Sequence, residues 1–520
     1  MLIRKDKQAL IFKLKKPSKI TTVIPTAKIV QHKGYPLVAV PHRPDETRVL
    51  RNLGFEVPDP LPFYYDWPGQ FRPFKAQEAT ASFLSMHDRA YCLNSMGLGK
   101  TVTSVWAYDF MKRSKQVDKV LVVCPLSTME DTWAKAFFNT LPTRSVNVLY
   151  GSKERRIKLL AQDADVYIIN THGLKAIKAE LAKRPDINLV IIDELAVYRN
   201  SGTELWKDMN TVINKQTHRK VWGLTGAPIP HDPTDAWAQC KLVTPDSLTL
   251  PKYFSEFRNQ VMRQVTQYKW VPRDNALDVV YSIMQPAIRF ALDDCVDLPP
   301  QTFITREVEQ TPEQAKAYKQ MLRHLQADMA NGSISAVNEA VKASKLLQIV
   351  LGVAYAGGDK TIKIPTKPRL DVLREVIEES ERKVLVFVPL TGALEHVVEE
   401  LRKDYTVGVI HGGTPKAERD QTFHNFQNTK DPHILVANPR TMSHGLTLTA
   451  ATTIVWYGPT FSNDTYVQAC ARVRRPGQTS TTVIVHITSS DFERKIFERL
   501  QSKQKMQNVL LDMLKEAETD

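Results

Sequence analysis

Strand-sized apolar runs recur along this chain, separated by helix-length segments, and they do so in two series. The first series contains Val120 to Val123, Val166 to Ile169, Leu189 to Ile192 and Val221 to Leu224; the second runs from Val384 to Val388 through Thr406 to Ile410, Ile434 to Ala437 and Thr453 to Trp456, to Thr482 to Ile487. A parallel strand needs a crossover helix and is covered on both faces, so short, continuously apolar, β-branched runs alternating with helices predict doubly wound parallel sheets. The expected class is α/β, with two tandem parallel-sheet lobes.

At 520 residues the chain exceeds what one hydrophobic core supports. Residues 1–69 alternate apolar and basic side chains and end in a Pro-rich stretch around Pro58, Pro60 and Pro62, which predicts a small strand-rich N-terminal domain and a linker. Residues 70–245 hold the first lobe. Residues 246–360 read as helical insertions and an interlobe linker, with long helical patterns at Thr311 to Ala330 and Val337 to Leu351, followed by Gly357 and Gly358. The second lobe, 361–520, closes on an amphipathic helix over about Phe492 to Lys515.

Seventy Lys and Arg against 56 Asp and Glu give a net charge of +14, which favours a polyanionic partner, and nucleic acid is the obvious one. The five cysteines form no CxxC pair, so neither a disulfide framework nor a zinc site is indicated. No apolar run approaches the ~18 residues of a membrane span, and no uninterrupted apolar stretch marks a signal peptide. A cytoplasmic protein is expected.

Ser95-Met96-Gly97-Leu98-Gly99-Lys100-Thr101 follows the β-type run Ala90 to Leu93 and opens a helix-length segment, as a phosphate-binding loop must. Where Gly removes the side chain, backbone N–H groups can approach phosphates; Lys100 would reach the β and γ phosphates of ATP and Thr101 would ligate Mg²⁺. The fuller GxxxxGK[ST] pattern wants Gly where Asn94 stands. Asp193-Glu194 closes the apolar strand Leu189 to Ile192, placing Asp193 to hold Mg²⁺ and Glu194 to orient the attacking water. Two acids after a strand are also what a solvated turn looks like.

Met96 to Thr101, the Asp193-Glu194 pair and Leu224-Thr225-Gly226-Ala227-Pro228 resemble, in order and spacing, motifs I, II and III of the Swi/Snf ATPases of helicase superfamily two. Leu121 to Ser127 resembles motif Ia and Ile169-Asn170-Thr171-His172 motif Ib. By that resemblance Pro125, Ser127, Thr171 and His172 face the nucleic-acid backbone. Pro73-Phe74-Lys75-Ala76-Gln77 is similar to an adenine-reading Q motif, with Phe74 stacking on the base and Gln77 bonding its edge. In the second lobe Ile410-His411-Gly412-Gly413 resembles motif IVa and Gly445 to Ala450 motif V, implying backbone contacts at His411, Gly412 and Gly445. His411 taken alone reads more readily as a structural histidine.

Gln468, Arg472 and Arg475 stand at i, i+4 and i+7, one helix face, with Pro476-Gly477 as the stop. Residue by residue, Arg472 and Arg475 match the paired arginines of the Swi/Snf motif VI, R-x-x-R-x-G-Q, and Gly477-Gln478 sets the chain apart from the DEAD and DEAH RNA helicases. The resemblance covers about residues 71 to 505 and implies two RecA-like lobes, MgATP hydrolysis with Lys100, Asp193, Glu194, Arg472 and Arg475 as the catalytic set, and a monomeric motor on double-stranded DNA. It does not cover 1–69, where Lys13, Lys15, Lys16 and Lys19 are open to reading as a DNA-touching edge or a solvated face. Leu195-Ala196, Thr447 and Ala471 depart from the family pattern, which bears on coupling rather than hydrolysis. A strand-separating or annealing helicase on forks, single strands or RNA, and a non-hydrolysing nucleic-acid clamp, remain the rival readings.

Overall fold

The computed structural model describes residues 1–32, 35–214, 216, 218–230, 232–267, 270–330, 336–356, 360–442 and 447–502. The chain divides into two units, Met1–Cys295 and Val296–Asp520.

The first unit begins with β1 (Leu2–Arg4), β2 (Ala9–Phe12), β3 (Lys28–His32) and β4 (Tyr35–Pro41), an antiparallel sheet in the order β1-β2-β4-β3. Its own core gathers Leu10, Phe12, Ile20, Ile24, Val38, Val40, Leu50 and Val57. Next comes the parallel sheet, built from β5 (Arg89–Cys92), β6 (Lys119–Cys124), β7 (Val146–Val148), β8 (Val166–Asn170), β9 (Ile187–Asp193) and β10 (Lys220–Leu224). Side-chain alternation feeds two cores. Leu121, Val123, Val190 and Ile192 pack on one face, and Val120, Val122, Leu189 and Ile191 on the other. Burial on both faces is why these runs read as continuously apolar.

The interval 246–360 corrects the expectation of helices followed by a linker. It carries a hairpin, β11 (Met262–Gln264) with β12 (Trp270–Pro272), and then β13 (Ala287–Ile288), which joins the first parallel sheet beside β5. The full order is β13-β5-β10-β9-β6-β8-β7. β14 (Gln301–Glu307) opens the second unit by pairing along the whole of its length with the strand Thr482–Thr488, far later in the chain. Two-residue β13 is too short to show a period, and β14 is a largely exposed edge strand with no apolar run to read. The helices Pro312–Ala330 and Ala336–Val350 do form, followed by the hairpin of β15 (Val353–Ala356) and β16 (Lys360–Lys363). Gly357 and Gly358 lie outside the described residues.

β17 (Lys383–Phe387), β18 (Val407–Ile410), β19 (Ile434–Ala437), β20 (Ala451–Trp456) and β21 (Thr482–Thr488) complete a six-stranded parallel sheet in the order β14-β21-β20-β17-β19-β18. A buried ion pair, Arg369 with Glu493 at 2.8 Å, ties two helices behind it, and Arg369 also donates to the Ile487 carbonyl and to Ser489 Oγ. The last described helix spans Asp491–Gln501; the expected continuation to Lys515 lies outside the described residues.

Candidate nucleotide site

β5 ends at Cys92, the chain turns through Ser95 to Gly99, and a helix opens directly at Lys100 and runs to Arg113. Gly97 and Gly99 have φ of +88° and +70°, the left-handed region that glycine enters without strain. A Cβ on Gly99 would stand 2.5 Å from Gln77 Nε2 and 3.3 Å from Val102 Cγ1, so a larger residue would be strained by the backbone and would displace the Gln77 amide. Gln77 Nε2 donates to the Leu98 carbonyl at 3.2 Å while its Oε1 accepts from the Phe74 N–H at 3.3 Å. Gln77, in the first turn of the helix Lys75–Met86, therefore touches the loop itself, and the Phe74 backbone N–H holds its side chain. Leu98 is buried, so its part is played by the backbone. Lys100 Nζ rests on the carbonyls of Asn94 and Ser95, at 2.9 and 3.4 Å, and part-exposed Thr101 follows in the first helical turn.

Asn94, the residue that departs from the wider glycine pattern, is buried. Its Nδ2 donates to Thr80 Oγ1 at 2.9 Å and its Oδ1 accepts from the Phe290 N–H at 2.9 Å. The side chain thus pins the root of the loop to the helix Lys75–Met86 on one side and to the segment after β13 on the other, where Ser95 N–H also donates to the Phe290 carbonyl. Sequence reading missed this role. A polar residue at a strand end is a weak signal, and its partner lies 196 positions away.

β9 ends at Asp193, which lies in register with Leu224 at the end of β10, and β10 lies between β9 and β5. Trp133 Nε1 donates to Asp193 Oδ2 at 2.8 Å, fixing the carboxylate, and Asp193 Oδ1 accepts from the Glu194 N–H. Glu194 itself has φ of +53°, a left-handed backbone rare outside glycine, which swings its side chain off the strand direction. Burial pushes the Cys92 thiol up to about 11, with Lys100 lowering it and Asp193 raising it. One thiol at the sheet's end therefore senses both charges. Gly226 completes the set: a Cβ there would meet Met96 Cγ at 3.3 Å and the Asn94 carbonyl at 3.6 Å, so the turn after β10 leans on the glycine loop after β5.

The departure at Leu195 has a packing explanation. Leu195 is fully buried, and a Cβ on Gly223 would come within 2.6 Å of its Cδ2. The leucine fills a slot over the glycine of β10. At the neighbouring strand ends, Pro125 is part-exposed, and Ser127 and His172 are exposed. Thr171 is not: it is buried and its hydroxyl donates to the Cys124 carbonyl at 3.1 Å, so it props the β6 and β8 ends together instead of facing outward.

In the second unit the expected arginine-bearing helix is shorter than the sequence suggested. It spans Asn463–Cys470, and Ala471 to Gly477 form successive turns, so Arg472 and Arg475 do not share a helix face with Gln468. The helix yields because the Arg472 carbonyl is taken by the Leu448 N–H and Val473 is buried in the core, contacts that a continued helix would lose. Gln468 instead bonds Asp464. Buried Gln478 donates to the carbonyls of Thr449, Ala451 and Val473, clamping this segment onto the one before β20. Arg475 donates to the Ala471 carbonyl at 3.0 Å and to Thr447 Oγ1 at 3.1 Å, so the departure at Thr447 serves it directly through its hydroxyl. Burial, then repulsion from Arg472, lowers the Arg475 guanidinium to about 9, which leaves it protonated at neutral pH. His411, after the edge strand β18, folds onto its own turn, its Nδ1 accepting from the Gly413 N–H; exposed Gly412 has open space where a side chain would be. Gly445 lies outside the described residues.

Residues 91–353 match the SNF2-related domain, and residues 368–477 match the helicase conserved C-terminal domain. The chain is 24% identical over 463 residues to the Chromodomain-helicase-DNA-binding protein 1-like of Danio rerio, covering 85% of this chain and 44% of that protein. It is 25% identical over 467 residues to putative protein p41 of Acyrthosiphon pisum secondary endosymbiont phage 1, covering 86% of this chain and 99% of the phage protein. An uncharacterized ATP-dependent helicase of Mycoplasma pneumoniae is 22% identical over 421 residues, 79% of this chain and 39% of its own length. The chain thus spans less than half the length of the zebrafish and Mycoplasma proteins and nearly all of the phage one. With these two domain matches spanning two parallel α/β units, the chain belongs to the SNF2-related family and is an ATP-hydrolysing enzyme of the helicase type.

Proposed function

We propose that the chain is a motor that hydrolyses MgATP to translocate along double-stranded DNA. One observation carries the ATP half of this reading: β5, β10 and β9, far apart in sequence, are neighbours in one sheet and end side by side, with Gly226 after β10 against Met96 after β5 and Gln77 against Gly99. Lys100 is held on two carbonyls, bonds that phosphate oxygens would replace with stronger, charge-assisted ones. Thr101 and Asp193 offer a hydroxyl and a positioned carboxylate, hard oxygen ligands of the kind Mg²⁺ takes. Mg²⁺ held there would neutralise charge on the phosphates. Glu194 would align a water, and Arg472 and Arg475, both cationic, would stabilise charge spreading over the transferred phosphoryl group.

The DNA half rests on the +14 net charge and on the DNA-binding name of the zebrafish relative. Pro125, Ser127, His172, His411, Gly412 and Gly445 are the backbone contacts of this reading. Phosphate contacts carry little sequence information, so binding should be weakly sequence-specific and fall steeply with salt. A monomeric motor in the cytoplasm of a bacterial or infected cell is part of this reading, and the phage and Mycoplasma relatives are consistent with that setting. Among the described residues no helix is long and apolar enough to cross a membrane. Steady-state hydrolysis with duplex DNA, single strands and RNA in parallel tests the reading: strong duplex stimulation supports it, and equal rates with and without duplex sink it. A second reading, strand separation, is favoured by the β11–β12 hairpin, where Arg263 and Gln264 are exposed and Arg258 stacks over Trp270 at 4.2 Å. Unwinding of a forked duplex would select it.

A further inference from the structure

The chain's charge is unevenly placed. Its first 41 residues contain nine Lys or Arg and one acid, a net +8, whereas the other 479 residues together contribute +6. Those 41 residues build the N-terminal antiparallel sheet. Residues paired across neighbouring strands share a face. The pairings Leu10↔Val40, Phe12↔Val38 and Ile29↔Val38 set the inner face, which Ile20, Ile24 and Leu50 cover. Through Ile11↔Ala39, Val30↔Leu37 and His32↔Tyr35, the opposite face acquires an apolar strip across three strands that ends in an aromatic ring. Ile11, Leu37 and Ala39 are part-exposed, Val30 is 47% exposed and Tyr35 60% exposed.

Cations flank this strip. Lys28 lies on the same face through its pairing with Ala39, and Lys13, which follows β2, holds its ammonium 4.9 Å from the Tyr35 ring centroid. Lys28, Lys13, Lys15 and Lys16 are all exposed. A patch made only to neutralise duplex phosphates needs no apolar centre, because a duplex hides the faces of its bases. An unpaired strand presents both: bases that stack on an aromatic or aliphatic surface, and phosphates that seek cations. A second copy of this chain is disfavoured as occupant, since it would bring another +8 against the first.

We propose that the outer face of the N-terminal sheet is an accessory platform for an unpaired nucleic-acid strand, with Tyr35 stacking on a base and Lys13 and Lys28 on flanking phosphates. The proposal rests on the reading of the chain as a nucleic-acid enzyme and adds a site on neither parallel sheet. It makes a junction between duplex and unpaired strand, rather than uniform duplex, the substrate on which the whole chain is best seated.

The test uses the full chain without nucleotide and fluorescence anisotropy of a labelled oligo-dT of about 20 nucleotides, beside a duplex of the same length. Tyr35→Ala is expected to weaken oligo-dT binding about tenfold while leaving duplex binding within about twofold, and Tyr35→Phe is expected to retain wild-type affinity. Lys13→Glu with Lys28→Glu should weaken oligo-dT binding and flatten its salt dependence. DNA-free ATP hydrolysis and the melting temperature, unchanged in all three, exclude misfolding. Oligo-dT binding by Tyr35→Ala within about twofold of wild type, equal losses on oligo-dT and duplex, or a change of oligomeric state on mutation would each overturn the platform. Failure of the motor reading is seen separately, as absence of duplex-stimulated hydrolysis in the wild-type chain.

Discussion

The two halves of the candidate ATP machinery are held in place by different means. In the first unit the loop that would cradle phosphates is held by close packing as well as hydrogen bonds: Gly99 lies under Gln77 and Gly226 against Met96, while the Gln77 and Asn94 side chains bond the loop and its root. In the second unit Arg475 stands on turns held by hydrogen bonds, its own to Ala471 and Thr447 and those of Gln478 to three carbonyls. A packed loop is pre-formed for binding, whereas a cation on hydrogen-bonded turns is suited to act on charge that develops during reaction. On the proposed function, the first unit is expected to carry most of the affinity for ATP, while the arginines of the second unit are expected to act mainly on the rate of hydrolysis, beside Glu194.

The largest effect that would sharpen this division is expected from Arg475→Ala: about a thousandfold loss in kcat, with ATP affinity within about threefold, measured by coupled hydrolysis and by nucleotide-binding titration. Comparable losses in both quantities would erase the distinction. Lys100→Ala should cost on the order of a hundredfold or more in turnover and, unlike the arginine variant, lose ATP affinity as well. Gly99→Ala tests shape alone, since it removes no charge; the positive φ and the 2.5 Å approach to Gln77 predict loss of nucleotide binding in a protein whose second unit still melts normally.

Smaller effects probe the supports. Asn94→Ala takes one bond from the buried Thr80 hydroxyl, which keeps its bond to the Ala76 carbonyl, and the side-chain acceptor from the part-buried Phe290 N–H, and is expected to destabilise the first unit by about 1 kcal/mol, read by denaturant unfolding, with a higher KM for ATP. In the second unit, burial depresses His486 to about 3, against about 6.5 in an unfolded chain. The unfolded state then binds more protons below pH 6.5, so stability is complete above that pH and falls as pH drops toward 3, by up to about 1.4 kcal/mol per unit. Between pH 6.5 and 5, above the carboxylate range, His486→Gln should flatten the pH dependence of unfolding; an unchanged slope would show that the histidine contributes none of it.

Legibility from sequence followed range. The strand, glycine turn and helix around Lys100 are contiguous, so Gly97, Gly99, Lys100 and Thr101 could be read together, and so could Asp193 at the end of an apolar strand. Asn94 could not be assigned a role, because its partner Phe290 is brought beside it only by β13, a strand of two residues. The arginine segment failed for a similar reason. Its i, i+4, i+7 spacing is a local helix signal, but the bond from Leu448 to the Arg472 carbonyl and the burial of Val473 override it at Cys470. Thr171 carried a family position but not the family's exposure, and only its bond to the Cys124 carbonyl shows why.

Displacement of a triplex-forming third strand from a linear duplex tests ATP-driven movement along double-stranded DNA most directly, because release requires travel and not merely binding. The account predicts release that needs ATP, shows a lag that lengthens with the distance of the triplex from the free end, and disappears in Lys100→Ala and Arg475→Ala. Duplex-stimulated hydrolysis with no displacement above that of the two variants would contradict it.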